Sequence, residues 1–411
     1  MCIRDSHNLA IGNDALYGNT TGNYNTASGY YALGVGAAGC ENAAFGYKAG
    51  MGVNGGKHNT AVGYAALLAT GTKCLNTAIG HKSLTSLTTG CHNTGLGYGS
   101  LCNATTACDN DAMGYGALGA LTTGTRNTAV GFAAGNATTT GACNFFGGNA
   151  AGTKNTTGHS NVAIGRQAMG CNTTASYNTV VGACALFCNT TTGMAMEAFG
   201  FRALHSNTTG SCNMGMGFCA LYSNTSGCFN TASGYRAMAT STTGCHNVSY
   251  GSYSLAANTT GGSSVAIGAY AGLCNTTATL VAVGVNALCC NTTGYRNTAI
   301  GISALRTNSE GNRNVAVGTK SLYKNTTGSY NTASGYVALF CNTTGGANTA
   351  TGYCALYKNT TASENTASGY AALQENTTGC ENSAFGRKAM CQNTTGCNNT
   401  AAVSYTHLTL P

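Results

Sequence analysis

Residues 331–347 read Asn-Thr-Ala-Ser-Gly-Tyr-Val-Ala-Leu-Phe-Cys-Asn-Thr-Thr-Gly-Gly-Ala, and residues 348–364 repeat the same pattern. When the Gly at the fifth position of this phrase is aligned along the chain, it gives 23 repeats, from Gly12 to Gly386. The step is 17 residues, apart from a step of 18 into Gly200 and of 16 into Gly284. The consensus is N-T-A-x-G-Y-x-A-L-x-x-N-T-T-G-x-x, whose positions we number from the first (Asn) to the seventeenth. A period this regular indicates stacked units rather than separate domains.

The composition agrees with a repeat array and excludes several other classes of protein. The 411 residues include 60 Gly and one Pro, and only 7% are charged, against about 25% in ordinary globular domains. Hydrophobic residues make up 43%, which is too many for an intrinsically disordered chain. Collagen is excluded because Gly does not recur at every third residue, and no run of about 18 apolar residues predicts a membrane span. The net charge of +8 comes from scattered Lys and Arg, which is too dilute for a nucleic-acid partner.

Each repeat is predicted to form one coil of a parallel β-solenoid. Seventeen residues are too few for a pair of helices, and frequent Gly and Asn disfavour helices. Phrases such as Asn161–Gly165 and Asn297–Gly301 are typical of short strands, whereas N-T-T-G is typical of turns. We therefore predict an all-β chain: a parallel β-solenoid (β-roll) of about 23 coils that runs as one continuous array over residues 7–402.

Side-chain size at each repeat position predicts which positions face the core. The fourth position is aliphatic, Met or Phe in 16 of 23 repeats and is expected to face inward, together with the second. The ninth position, Leu in 16 repeats and Met in three, is expected to form a second inward row. The third position is Ala in 18 repeats and the eighth is Ala or Ser in all 23, which indicates close approach between neighbouring backbones or chains.

Such a coil encloses a thin core, and oligomerisation or covalent links commonly stabilise thin cores. Tyr or Phe occupies the sixth position in 12 repeats. This aromatic stripe either packs against another chain or lies flat on the surface with its hydroxyls in water.

Both ends of the sequence break the repeat. Residues 1–6 and 403–411, the second of which contains the single Pro, resemble translated read-through of sequencing adapters. We expect neither segment to belong to the fold.

The 22 cysteines fall mainly at two places in the repeat. Cysteines at the same position of neighbouring coils would be about 4.8 Å apart, within the Cα range of a disulfide. Two interpretations stay open: small, tolerated loop residues, or disulfides across coils or chains. The spacing typical of zinc sites is absent, so no metal site is predicted. Eight cysteines occupy the sixteenth position (Cys40, Cys74, Cys91, Cys108, Cys228, Cys245, Cys380 and Cys397), and eight occupy the tenth or eleventh (Cys102, Cys171, Cys188, Cys274, Cys289, Cys290, Cys341 and Cys391).

Other polar residues are predicted to be structural. His58, His92 and His246 are expected to be exposed loop residues, and Asp109 with Asp111 a solvated turn rather than a cation site. We predict no catalytic, cofactor-binding or metal-binding residues and no cofactor.

The twelfth-position Asn creates an N-x-T/S sequon in most repeats, yet glycans about 4.8 Å apart would collide. These Asn side chains are therefore predicted to form a buried or half-buried ladder, each bonding the turn of the next coil (Asn19, Asn172, Asn291, Asn325 and Asn393 among them).

The phrase N-x-A-I-G, matched best by Asn8–Gly12, Asn161–Gly165 and Asn297–Gly301, resembles the head repeats of YadA-like trimeric autotransporter adhesins. The full pattern also resembles repeats in predicted tail-fibre and surface-fibre proteins of phages and marine bacteria. The resemblance implies a left-handed β-roll, a homotrimer, an extracellular, cell-surface or virion location, and a receptor that is a glycan or a surface protein.

Two functions follow as hypotheses. The first is a non-enzymatic structural and adhesive fibre segment that presents repeated loops to a receptor. The alternative is an ice-binding β-solenoid, because Thr recurs in pairs such as Thr20-Thr21 and Thr292-Thr293. Adjacent strand residues point to opposite faces, so only half of these Thr could line one plane.

Overall fold

A computed structural model describes residues 7–36, 38–190 and 194–403, in which every regular element is a β-strand. The chain forms two units, Met1–Ser211 and Cys212–Pro411. The predicted read-through segments lie outside the described residues, except for Val403.

The first unit contains β1 (Leu9–Ile11), β2 (Thr26–Ser28), β3 (Ala43–Phe45), β4 (Thr60–Val62), β5 (Thr77–Ile79), β6 (Thr94–Leu96), β7 (Asp111–Met113), β8 (Thr128–Val130), β9 (Phe145–Gly147), β10 (Val162–Ile164), β11 (Thr179–Val181) and β12 (Glu197–Phe199). The second contains β13 (Met214–Met216), β14 (Thr231–Ser233), β15 (Val248–Tyr250), β16 (Val265–Ile267), β17 (Leu280–Val283), β18 (Asn297–Ile300), β19 (Val315–Val317), β20 (Thr332–Ser334), β21 (Thr349–Thr351), β22 (Thr366–Ser368), β23 (Ser383–Phe385) and β24 (Thr400–Ala402).

Within each unit, every strand pairs in parallel with the next strand along the chain. Equivalent repeat positions lie opposite each other, as in Thr60↔Thr77 in the first unit and Thr349↔Thr366 in the second. The register is kept across the irregular steps, since Thr179 pairs with Glu197 and Val265 with Val281. The predicted parallel β-solenoid with a 17-residue coil is confirmed.

The last strand, β24, lies beyond the 23 aligned repeats. Its sequence follows the same phrase up to the fifth position, where Val403 replaces the Gly. The backbone N–H of Val403 donates to the Phe385 carbonyl at 2.9 Å and so continues the cross-coil pattern.

The core is lined by the third, eighth and ninth positions. Ala78, Ser83 and Leu84 represent these three positions in one coil, and all three are fully buried. A Cβ built at Gly95, a third-position residue, would lie 2.4 Å from Ser83 Oγ and 3.4 Å from Leu84 Cγ. The eighth- and ninth-position side chains therefore fill the interior opposite the strand, which explains why the third position is small. The ninth-position inward row is confirmed.

The prediction that the fourth position faces inward is wrong. In β2–β16 and β19–β23, each strand has three residues and the middle one is buried, as Ala78 is in β5, whereas fourth-position Ile79 is 37% exposed. Successive strand residues point to opposite faces. Because the third position takes the inner face, the second and fourth positions share the outer one.

Two Asn ladders run through the coils, of which the sequence predicted one. At the twelfth position, Asn342 Nδ2 donates to Asn325 Oδ1 (2.8 Å) and to the Gly345 carbonyl (2.9 Å). The buried ladder is confirmed, although the turn that each Asn bonds belongs to its own coil. At the first position, Asn42 Nδ2 donates to Asn25 Oδ1 (3.1 Å) and to the Gly56 carbonyl (2.9 Å). These bonds satisfy buried amides and fix the stacking of the coils.

Candidate interaction face

The outer side of the strands forms an exposed apolar stripe. In the first unit, Ile79, Leu96, Met113 and Val130 occupy the fourth position of consecutive coils, and their exposed fractions are 37–44%. No fourth-position residue in the 23 repeats is charged. Parallel strand pairing places these side chains in one row along the unit. We call this row, with the aromatic ladders described next, the strand face.

Sixth-position aromatic rings stack on one another beside this row. The chain bends at the fifth-position Gly and then places each ring over the ring of the next coil. Neighbouring planes differ by 15° or less, so the ring faces are covered while the ring edges are exposed. In the first unit, the centroid distances run Tyr30–Tyr47 5.3 Å, Tyr47–Tyr64 5.1 Å, Tyr64–His81 4.9 Å, His81–Tyr98 4.9 Å, Tyr98–Tyr115 5.0 Å and Tyr115–Phe132 5.2 Å.

The second unit has shorter aromatic ladders at the same position. Tyr336, Tyr353 and Tyr370 stack at 5.5 and 5.2 Å, and the Arg387 guanidinium lies 5.7 Å from the Tyr370 centroid. Such a contact favours an exposed cation only weakly, by about 0.5–1 kcal/mol. The stacked geometry in both units shows that the rings pack against one another instead of lying flat on the surface.

One part of the second unit presents hydroxyls instead of aliphatic side chains. In β20, β21 and β22, the second position is Thr and the fourth is Ser or Thr, and both point outward. These side chains form a small array of hydroxyls on three adjacent coils (Thr332, Ser334, Thr349, Thr351, Thr366 and Ser368).

The paired turn threonines separate as the sequence predicted. The thirteenth-position Thr122 is half-buried, and its hydroxyl donates to the Thr139 carbonyl of the next coil at 3.1 Å. The fourteenth-position Thr123 is exposed. Only one of the two hydroxyls therefore faces solvent.

The three loop histidines are exposed, as predicted, and each of them contacts a side chain of a neighbouring coil. His58 Nδ1 is 3.1 Å from Glu41 Oε2, and His92 Nδ1 is 3.6 Å from Asp109 Oδ1. His246 stacks on Phe229 with a centroid distance of 5.1 Å. Exposed pairs of this kind contribute little to stability.

Asp109 and Asp111 do not converge on a common site. Asp111 is exposed at the second position of β7, and Asn110 between them is buried in the first-position ladder. Within residues 7–36, 38–190 and 194–403, no group of three or more His, Cys, Asp or Glu side chains is arranged to hold a metal ion.

Lys73 is a buried lysine that the repeat pattern does not predict. It occupies the fifteenth position, which is usually Gly, in a coil whose twelfth position is Thr70 instead of Asn. Its side chain is fully buried, and Nζ donates to the carbonyls of Leu67 (3.2 Å), Leu87 (3.0 Å) and Ala69. Burial lowers the pKa of Lys73 from its usual 10.5 to about 7. In the sequence, this site is marked by two departures from the consensus in one repeat: Lys73 in place of Gly and Thr70 in place of Asn.

Comparison with known proteins leaves the fold as the main guide to function. No protein-family model matches the chain, and no curated protein matches it. Within the described ranges, the chain has no helix with the length and hydrophobicity needed to cross a lipid bilayer.

Proposed function

We propose that the chain is a non-enzymatic structural and adhesive fibre segment, from a virus or phage tail fibre or from a bacterial adhesin head, located outside the cell. The observation that carries the proposal is the strand face, where exposed apolar side chains recur coil after coil without a fourth-position charge. Contiguous exposed apolar surface is typical of association sites. Depletion of charge is typical of the centre of an interface.

The partner that fits the strand face is a second and a third copy of the chain. Parallel coils repeat about every 4.8 Å, so an identical chain presents its apolar side chains at the same spacing. The chain bends at the Gly between the fourth and sixth positions, for example at Gly97 between Leu96 and Tyr98. A surface that turns a corner is covered better by two partners than by one, and each chain of a trimer contacts two partners.

Association between chains would also bury the large apolar side chains that a single coil leaves exposed. The interior of a coil holds mainly Ala and one Leu, whereas its larger apolar side chains, such as Leu96 and Tyr98, remain 44% and 50% exposed. Burial of such side chains stabilises an assembly by about 25 cal/mol per Å² of apolar surface.

The mass of the assembly in solution tests this proposal. We expect analytical ultracentrifugation to give three times the chain mass of 41.2 kDa. The variant Leu96→Lys/Met113→Lys places two charges on the strand face and should give monomers. The control Thr106→Lys/Thr123→Lys adds the same charges at exposed fourteenth positions of the same two coils and should remain trimeric. A monomeric wild-type chain at micromolar concentration would contradict the proposal.

Attachment to a surface glycan or a surface protein would use the exposed turns, which recur once per coil. Repeated weak contacts give avidity that exceeds a single contact by about 10²–10⁴. We expect the trimer to bind whole cells or glycan-coated surfaces at least about 100-fold more tightly than the Leu96→Lys/Met113→Lys variant. Equal binding of both forms would exclude a multivalent mechanism.

Ice binding is a second candidate because of the hydroxyl array on β20–β22. Thr349 and Thr351 face outward on a regular strand ladder, with hydroxyl side chains at the equivalent positions of both neighbouring coils. We would expect thermal hysteresis that is lost in Ser334→Tyr/Thr351→Tyr and kept in the turn variant Thr344→Tyr. Absence of hysteresis in the wild-type chain would eliminate this candidate.

A further inference from the structure

Two cysteine thiols of the second unit lie close together across neighbouring coils. Cys380 and Cys397 both occupy the sixteenth position, and their Sγ atoms are 3.4 Å apart. The backbone N–H of Cys380 also donates to Cys397 Sγ at 3.1 Å. A disulfide needs an S–S distance of about 2.05 Å, so a small rotation of the side chains is sufficient to form the bond.

The surrounding backbone holds these cysteines in register. One residue after Cys397, the N–H of Asn398 donates to the Cys380 carbonyl at 3.0 Å. Two residues after each cysteine, Asn399 Nδ2 donates to Asn382 Oδ1 at 3.0 Å. Parallel coils place equivalent Cα atoms about 4.8 Å apart, within the 4.4–6.8 Å that disulfides span.

Both sulfurs are accessible to a reagent from solvent. Cys397 is exposed and Cys380 is half-exposed. Cys341, at the eleventh position, provides a contrast in the same unit. The equivalent residues of its neighbouring coils are Lys324 and Lys358, so it has no cysteine at the same position in either neighbour.

We propose that Cys380 and Cys397 form a disulfide that links neighbouring coils, by exchange with a low-molecular-weight disulfide such as oxidised glutathione. The Cys397 thiolate attacks one glutathione sulfur, forming a mixed disulfide and releasing one glutathione thiolate. The Cys380 thiolate then attacks Cys397 Sγ and releases the second glutathione. Two protein thiols and one glutathione disulfide thus give one protein disulfide and two glutathione thiols.

The link closes a covalent loop around one coil and ties β23 to β24. Loop closure restricts the unfolded chain, so the oxidised coil should resist unfolding more than the reduced one. The proposal does not depend on trimer formation, because both cysteines belong to one chain.

The test compares these cysteines with Cys341 in the full-length chain treated with oxidised glutathione. Trypsin cleaves after Arg387, between Cys380 and Cys397, so only a disulfide can join the two peptides. We expect mass spectrometry to find the joined peptides, with fragmentation assigning the bond to Cys397 rather than Cys391, while Cys341 carries glutathione. The oxidised chain should melt at a higher temperature, and Cys380→Ser should abolish both the joined peptides and this shift.

Three results would overturn the proposal. The first is glutathione retained on both Cys380 and Cys397, and the second is either cysteine bonded to a different partner. The third is joined peptides that come from two chains, which a mixture of isotope-labelled and unlabelled protein would reveal. If Cys380→Ser unfolds the chain, Cys397→Ala and alkylation of the folded wild-type protein give the same readout.

Discussion

The ring of Phe146 occupies the space that a side chain at Gly152 would need. A Cβ built at Gly152 would lie 2.3 Å from Phe146 Cδ1, and one at Gly135 would lie 2.6 Å from Phe146 Cδ2. Phe146 stands at the third position, usually Ala, and both glycines stand at the ninth, usually Leu. One large side chain and two absent ones thus replace the ordinary core of these coils.

Exchanging these residues should reveal strong coupling between them. We expect Gly152→Leu to destabilise the first unit by about 1–3 kcal/mol through overpacking. Phe146→Ala should cost about 3–5 kcal/mol because it leaves a cavity. The triple variant Phe146→Ala/Gly135→Leu/Gly152→Leu recreates the consensus core and should recover most of the loss. Denaturant unfolding of these four proteins and of Gly135→Leu/Gly152→Leu gives the coupling energy between the ring and the two glycines. Additive losses would show that the ring and the glycines do not share one space.

The ninth position constrains the backbone as well as the core. Leu118 is fully buried with φ of 49°, and the described ninth-position residues have φ between 46° and 60°. β-branched residues adopt this region poorly, and the 23 ninth positions contain only Leu, Met and Gly. We expect Leu118→Ile to destabilise by about 1–3 kcal/mol. Leu118→Met should cost less than about 1.5 kcal/mol. Hydrogen exchange around β7 and β8 would distinguish them, and equal costs would contradict backbone strain as the cause.

A buried hydroxyl marks a place where the twelfth-position ladder is interrupted. Thr138 is fully buried and its Oγ1 has no hydrogen-bond partner. Thr138→Val keeps the shape and removes this unsatisfied group, so we expect stability to rise by about 1 kcal/mol. The control Thr122→Val removes a hydroxyl that donates to Thr139 and should lower stability by about 0.5–1.5 kcal/mol. A loss of stability in both variants, measured by thermal unfolding, would indicate that Thr138 finds a partner in solution.

The sequence predicted the coil, its parallel stacking and the Asn ladder, because these depend on periodicity. It did not identify the inner face of the strand. Alternation separates Ala78 from Ile79, but it does not say which of them points inward. Size alone favours the larger side chain as the core residue, whereas the opposing wall of a 17-residue coil restricts the third position to Ala in 18 of 23 repeats. An inward fourth position would place residues such as Ile79 in the core, and the candidate interaction face that they form therefore becomes visible only in the structure. The backbone conformation of Leu118 and the burial of Lys73 depend on neighbouring coils. The sequence alone therefore does not predict them.

The buried Lys73 should make the stability of the first unit depend on pH. Its pKa is about 7 in the folded chain. An unfolded Lys has a pKa of about 10.4. Between these values, the unfolded state holds a proton that the folded state lacks, so the free energy of unfolding rises with pH by about 1.4 kcal/mol per unit. Below about pH 7, both states are protonated and this dependence disappears.

Replacing Lys73 by Met should remove the slope between pH 7 and 10. It should also stabilise the first unit at pH 7, where the cost of releasing the amine's proton on folding is largest within that interval. Lys57→Met, which removes an exposed cation from the same coil region, should keep the slope. Denaturant unfolding at several pH values measures both. A wild-type slope that persists in Lys73→Met would assign the pH dependence to other groups, and a lower stability of Lys73→Met at pH 7 would mean that the three carbonyl contacts outweigh desolvation.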